Sequence, residues 1–297
     1  MADYKTIHGT KIRTYTTNPD NPIEGQVWYN DTDNVFKFQI PNRTSSFRSG
    51  NDLNTARNSL AGAGTQTAAL AFGGNADPKT AATEQYDGTS WTETGDLNSA
   101  RDTLGGAGIY TSALAFAGET PGNTRDLTES WNGSSWTEVG DLNTVRTGLG
   151  GFGADNTSAI AIGGETPGGR LAIAEEWNGS SWTEVNDMST ARDGMSEAGT
   201  ATAGLVFGGN GPPKLSATEE WNANISIGAW SSGGSLNTAR TQLAGAGVSN
   251  SSGLVFGGNP SDKTETESYD GSTWTEVADL NTGRVEHGGV GTQTSAL

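Results

Sequence analysis

The chain has 297 residues, 44 of them glycine, and only 32% of it is hydrophobic. Such a composition suits an all-β protein of short strands and tight turns, and no apolar run approaches the roughly eighteen residues of a membrane span. Net charge is −17, from 34 acids against 17 lysines and arginines, a surface that repels nucleic-acid phosphate and anionic lipid. Cysteine is absent, which excludes disulfides, thiolate metal sites and cysteine nucleophiles together.

The N-terminus, Met1-Ala2-Asp3-Tyr4-Lys5, lacks the basic start and apolar run of a signal peptide. The expectation is a soluble protein made in a cytoplasm. Residues 1–46 carry no repeat. A turn-rich linker, Asn18-Pro19-Asp20-Asn21-Pro22, precedes two strands around an Asp/Asn turn within residues 23–37. Val35-Phe36-Lys37-Phe38-Gln39-Ile40 alternates in the manner of a strand.

From Asp52 onward one phrase returns six times, Asp-Leu-Asn-Thr-Ala-Arg in its first copy, ending at Arg57, Arg101, Arg146, Arg192, Arg240 and Arg284. An aromatic stands ten residues before each arginine: Phe47, Trp91, Trp136, Trp182, Trp230 and Trp274. A period of 44 to 48 residues holds four strands. In the first unit these are Leu60-Ala61-Gly62-Ala63-Gly64, then Ala69-Leu70-Ala71-Phe72 stopped by Gly73-Gly74, a strand ending at Tyr86, and a strand carrying Trp91. Asp87-Gly88, Asn132-Gly133, Asn178-Gly179 and Asp270-Gly271 join the last two, a strong hairpin signal. A sheet of four strands cannot bury both faces alone, so such units stack around an axis.

The order of arginine, apolar strand, Gly-Gly, aromatic and tryptophan resembles the kelch repeat and extends over residues 47–297. The Gly-His and Trp-Asp marks of WD40 repeats are missing, and Ser268-Tyr269-Asp270-Gly271-Ser272-Thr273-Trp274 misses the sialidase Asp-box by one residue. The resemblance implies an all-β kelch-like β-propeller of four-stranded blades. Five units are complete, and the sixth stops at Leu297 partway into its second strand. Two arrangements follow. In the favoured one there are six blades, the last closed by strands from both chain ends, with Val35–Ile40 as third strand and Phe47 in the fourth. In the other, five blades stand beside a separate N-terminal module.

Residues 22–37 resemble a short element of bacteriophage tail-fibre and other virion proteins, and regular arrays of Thr, Gly and Trp-Thr-Glu are similar to virion proteins of marine phages. The resemblance implies an N-terminal attachment hairpin over residues 1–46, and a virion location exposed extracellularly after synthesis in the host cytoplasm. The expected role is a non-enzymatic tail, fibre or capsid-decoration component. Its partners would be other virion proteins and host surface glycan, with no nucleic acid and no membrane insertion, and with a possible homo-oligomer. A cellular kelch-type interaction scaffold and a propeller polysaccharide hydrolase or lyase are the alternatives.

Chemistry-bearing residues favour the non-catalytic expectation, with no cofactor, metal or catalytic residue. The two histidines, His8 and His287, lie in no nucleophile turn. Glu84, Glu129, Glu175, Glu219 and Glu267 share one register, whereas catalysis needs one asymmetric constellation; both they and the repeated arginines read as structural. Sequence differences gather in the connections after each Gly-Gly, each with a proline and a basic residue: Lys79, Arg125, Arg170, Lys214 and Lys263. These form the candidate binding set, on loops carried by a rigid scaffold.

Overall fold

Glycine-framed apolar strands and Asx turns generate a series of antiparallel four-stranded sheets. The computed structural model describes residues 50–223 and 229–297, the strands Arg13–Tyr15, Val27–Asn30 and Val35–Phe38, and the turn residues Thr32 and Asn34. Contacts divide the chain into Met1–Ser45 and Ser46–Leu297. In the first unit Arg13–Tyr15 runs parallel to Val27–Asn30, which pairs antiparallel with Val35–Phe38.

Among the described residues, the second unit holds five complete blades. Each is a meander of consecutive strands; blade 1 comprises Ala61–Thr65, Ala68–Phe72, Thr83–Tyr86 and Trp91–Glu93. Blades 2, 3, 4 and 5 begin at Gly105–Ile109, Gly150–Asp155, Ser196–Thr200 and Ala244–Ser249. The third and fourth strands meet across a four-residue loop, since Tyr86 pairs with Trp91. The Asp87 carboxylate closes that loop by accepting the Thr89 and Ser90 N–H groups, both at 2.8 Å, which holds its pKa below the ordinary value.

Aromatic side chains fill the space between blades. Trp131 packs on Trp136 within blade 2 at 5.3 Å, and Trp136 meets Phe72 of blade 1 at 4.9 Å. The Trp136 indole N–H donates to Thr83 Oγ1 of blade 1 at 3.0 Å, and Trp182 and Trp274 repeat the bond to Thr128 and Thr218. Blade 3 departs from this scheme in a correlated way. Ala174 replaces the threonine, and the Trp230 indole donates to Asn186 C=O instead. Ile162 stands where blades 1, 2, 4 and 5 have phenylalanine, and Phe152 on the first strand takes its place against Trp230. Gly204 on blade 4 makes room for it: a Cβ there would lie 2.1 Å from Phe152 Cζ.

Five of the six repeated arginines, Arg57, Arg101, Arg146, Arg192 and Arg240, bury their side chains against the third strand of their own blade. Arg101 Nη1 donates to the Ala117 and Leu127 carbonyls, and Nη2 to Ala115 C=O and Glu129 Oε1. The same ion pair joins Arg57 to Glu84, Arg146 to Glu175, Arg192 to Glu219 and Arg240 to Glu267. The other carboxylate oxygen holds the phrase that precedes the arginine, Glu129 Oε2 accepting from both Asn98 N–H and Asn98 Nδ2 at 2.7 Å. Burial pulls the Arg57, Arg101, Arg146 and Arg192 guanidinium pKa values below normal, and the facing glutamate opposes that shift.

The expectation of six four-stranded blades is corrected: five are complete. The sixth place around the axis holds a two-stranded hairpin, Gly291–Thr292 with Ser295–Ala296. It docks on both neighbours: Gln293 Nε2 donates to Ser268 Oγ of blade 5 at 2.9 Å, and Ser295 Oγ donates to Gln66 Oε1 of blade 1 at 2.6 Å. Val35–Phe38, expected as the third strand of a shared blade, is laddered to Val27–Asn30 across a short turn, a local pairing with a small loop-closure cost. It also carries Lys37 and no acid, so it has no counterpart of the glutamate that other third strands offer the arginine. Arg284 is exposed, unlike the side chains of its five counterparts. Phe47 lies outside the described residues.

A circle of backbone hydrogen bonds nevertheless counts six around the axis. Thr103 N–H donates to Ser59 C=O, Gly148 to Thr103, Gly194 to Gly148, Gln242 to Gly194, Glu286 to Gln242 and Ser59 to Glu286, at 2.9–3.1 Å. Each member follows its repeated arginine by two residues, and all six have φ between 49° and 63°. The repeat therefore sets the inner wall even at the sixth place, where the described residues form a two-stranded hairpin.

Candidate binding face and central channel

The variable loops spring from beside this circle. In the five complete blades the residue after the arginine bridges to the residue after the Gly-Gly stop (Ala117-Gly118 in blade 2): Asn58 to Asn75, Asp102 to Glu119, Thr147 to Glu165, Asp193 to Asn210, and Thr241 to Asn259. The five proline-containing connections are thus rooted on one face, near the axis. Those of blades 2 and 3 form small ribbons, Glu119–Thr120 with Asn123–Thr124 and Glu165–Thr166 with Gly169–Arg170.

Most of the five loop cations already have partners. Lys79 Nζ lies 2.9 Å from Asp102 Oδ1 and 3.4 Å from Glu119 Oε1, tying the loop of blade 1 to blade 2. Arg170 makes the corresponding link from blade 3 to Asp193 of blade 4. Lys263 pairs with Glu265 two residues along its own chain at 2.6 Å, which depresses the Glu265 pKa. Arg125 Nε donates to Thr120 Oγ1 within its ribbon, and Lys214 is exposed. The structure places all five residues on these loops, but it neutralises three of them in ion pairs. The face is a mosaic of paired charges.

His287 takes the position of Leu60, Leu104, Leu149, Met195 and Leu243 in the other copies. Its ring lies 5.6 Å from that of Phe256, and burial, with the nearby Arg284 charge, pulls its pKa down to about 4. His8 lies outside the described residues. Among the described residues, no group of three or more His, Cys, Asp or Glu side chains is arranged to hold a metal ion.

Along the axis runs a channel of about 220 Å³, walled by the first strands of all five blades and by Gly289, Val290, Gly291 and Thr292 of the sixth hairpin. One register of that wall reads Gly62, Gly106, Gly151, Glu197, Gly245 and Gly289. Among the described residues lining the channel, Glu197 is the one ionisable residue. Its carboxyl leans on blade 3, with Oε2 2.7 Å from where a Gly150 Cβ would stand, and it accepts the Gly151 N–H. Enclosure by the strand walls raises its pKa to about 8, against the Gly151 hydrogen bond, which lowers it. The residue keeps part of its surface open to the channel. Sequence reasoning missed Glu197, although the six-fold register of glycines around it was readable.

Together the meander topology, stacked sheets and axial channel define a β-propeller, and a comparison with solved structures agrees. The chain is similar in fold to the structure of YjhT, with a TM-score of 0.68 at 14% identity over 83% of this chain and 94% of that one. No family model matches the chain, and no curated protein matches it in sequence.

Proposed function

We propose that this chain is a non-enzymatic binding propeller of kelch type, a structural or attachment component of a bacteriophage particle that meets a virion protein or a host glycan through its loop face. One observation carries the reading. The charges repeated in every blade are consumed in internal pairs, as Arg101 and Glu129 are, whereas the loops rooted around the axis differ from blade to blade. A rigid scaffold with individual loops is how recognition surfaces are commonly built. The virion assignment rests on the resemblance of residues 22–37 to phage tail elements and on the Thr-, Gly- and Trp-Thr-Glu-rich units.

Polysaccharide cleavage by the usual route needs two carboxyl groups flanking one bond. Among the described residues lining the channel Glu197 is the one carboxyl, so the channel does not supply such a pair. The test replaces Lys79, Arg125, Arg170, Lys214 and Lys263 together by glutamine and measures binding to purified particle proteins and to host surface glycans. Neutral replacement avoids setting a new acid beside Asp102, Glu119 or Asp193. Loss of binding with an unchanged fold supports the loop face. Retained binding moves the contact elsewhere, and absence of the protein from purified particles refutes the virion assignment.

A further inference from the structure

We propose that the central channel is a binding site for one primary ammonium group on a short alkyl chain, held by Glu197. The argument starts from the repeat. Five of six copies place glycine at this register, and those copies close the axis without a carboxyl. Glu197 is thus not required for closure, yet the fold meets the cost of enclosing a carboxyl there. The symmetry of the wall is broken at one point, by one negative charge.

The surroundings specify the ligand class. Each first strand is hydrogen-bonded to its second strand on one side, so its other edge turns backbone N–H and C=O groups toward the axis. Those carbonyls are acceptors for the second and third N–H of an ammonium whose first goes to Glu197. A divalent ion would seek six or more oxygen ligands with several carboxylates among them, and the lining supplies a single acid. The outer end of the channel carries exposed Ile109 and Val248, 42% and 54% accessible, against which a short hydrocarbon chain can lie. At about 220 Å³ the space is below the range of drug-sized pockets, about 300–1,000 Å³, and excludes an oligosaccharide. Two sources share this chemistry, a free small amine and the lysine tip of a protein loop.

The empty carboxyl, held near pH 8 by enclosure, is mostly protonated at pH 7. A bound cation favours the ionised form, so binding releases the proton to buffer. No other titratable group lines the channel among the described residues.

The experiment is calorimetric titration of the full chain with n-butylammonium chloride at pH 7, in phosphate and in HEPES, whose different ionisation enthalpies count released protons. A single site releasing close to one proton is expected. Glu197→Gln, which keeps an acceptor for the Gly151 N–H, and Glu197→Gly, which restores the residue of the other five copies, are expected to lose at least tenfold in affinity and all proton release. Both are expected to melt no lower than the parent. A lysine-tipped loop peptide, with its Nε-acetylated form as control, separates the sources: preference for the peptide assigns a partner's lysine, and preference for butylammonium assigns a free amine. No binding of either, undiminished binding by Glu197→Gly, or equal competition by potassium chloride overturns the proposal. A Glu197→Gly protein that melts well below a non-binding parent assigns the carboxyl to structure alone and overturns it equally.

Discussion

Removing one repeated arginine tests what holds a blade together. Arg101 is fully buried and donates four hydrogen bonds, three to carbonyls and one to Glu129. Arg101→Ala would leave those carbonyls unpartnered, open a cavity the size of the side chain, and strand the Glu129 charge, which is 2% exposed. Glu129 keeps its two bonds from Asn98 on Oε2, so one carboxylate oxygen is orphaned. Breaking a buried pair from one side costs about 3–5 kcal/mol, and the surviving Asn98 bonds place the expected loss toward the lower end. Replacing both partners together, Arg101→Met with Glu129→Met, removes the stranded charge and should cost less than the single change. Urea unfolding followed by tryptophan fluorescence, with the slope checked for constancy, measures both. A single variant within about 1 kcal/mol of the parent would match an exposed ion pair and refute the reading of the arginine as an internal strut.

The indole bridges between blades give a smaller effect: Thr128→Val removes the acceptor of Trp182 and should cost about 1–3 kcal/mol, unless that indole finds a carbonyl as Trp230 does. Gly204→Ala should destabilise by about 1–3 kcal/mol through the clash with Phe152. Phe152→Ala opens a cavity against Trp230 and is costly by itself. Combined with Gly204→Ala it recreates the pair of residues at Ala63 and Ala113, so the loss should fall short of the sum of the two single changes; simple additivity would refute the contact. His287 sets an acid limit. Its folded pKa, about 4, lies below the ordinary value, so its contribution is full above about pH 6.5 and disappears as pH falls through 4. His287→Leu should flatten that part of the stability curve by up to about 3 kcal/mol, and parallel curves for variant and parent would refute the assignment.

The blades were legible because arginine, Gly-Gly and tryptophan recur at fixed offsets, and each offset answers to one contact in the structure. The closing blade was not. Val35–Phe38 alternates as any half-buried strand does, and alternation says nothing about which ladder accepts it; nearness to Val27–Asn30 decided. Its lack of a glutamate to face Arg284 was the readable warning. The loop cations were visible as residues but not as ion pairs, since Lys79 and Arg170 find their acids in the next blade. Glu197 was hidden by attention to what repeats: an alignment of the copies marks it at once as the acid in a column of glycines.

The six-membered circle of backbone bonds has a direction. Every N–H points to the preceding copy, with the last joined to the first, so the bond dipoles run head to tail round a closed path. Along the loop each bond polarises its neighbours and no end is left to fray. In the plane of the circle their dipoles cancel, so the circle adds little field across the channel it surrounds. Breaking any one link, for instance by proline at position 242, converts a loop into an open chain with two ends. The loss should then spread to the neighbouring links and appear as faster amide exchange at Ser59, Thr103 and Glu286 together, not at the altered site alone.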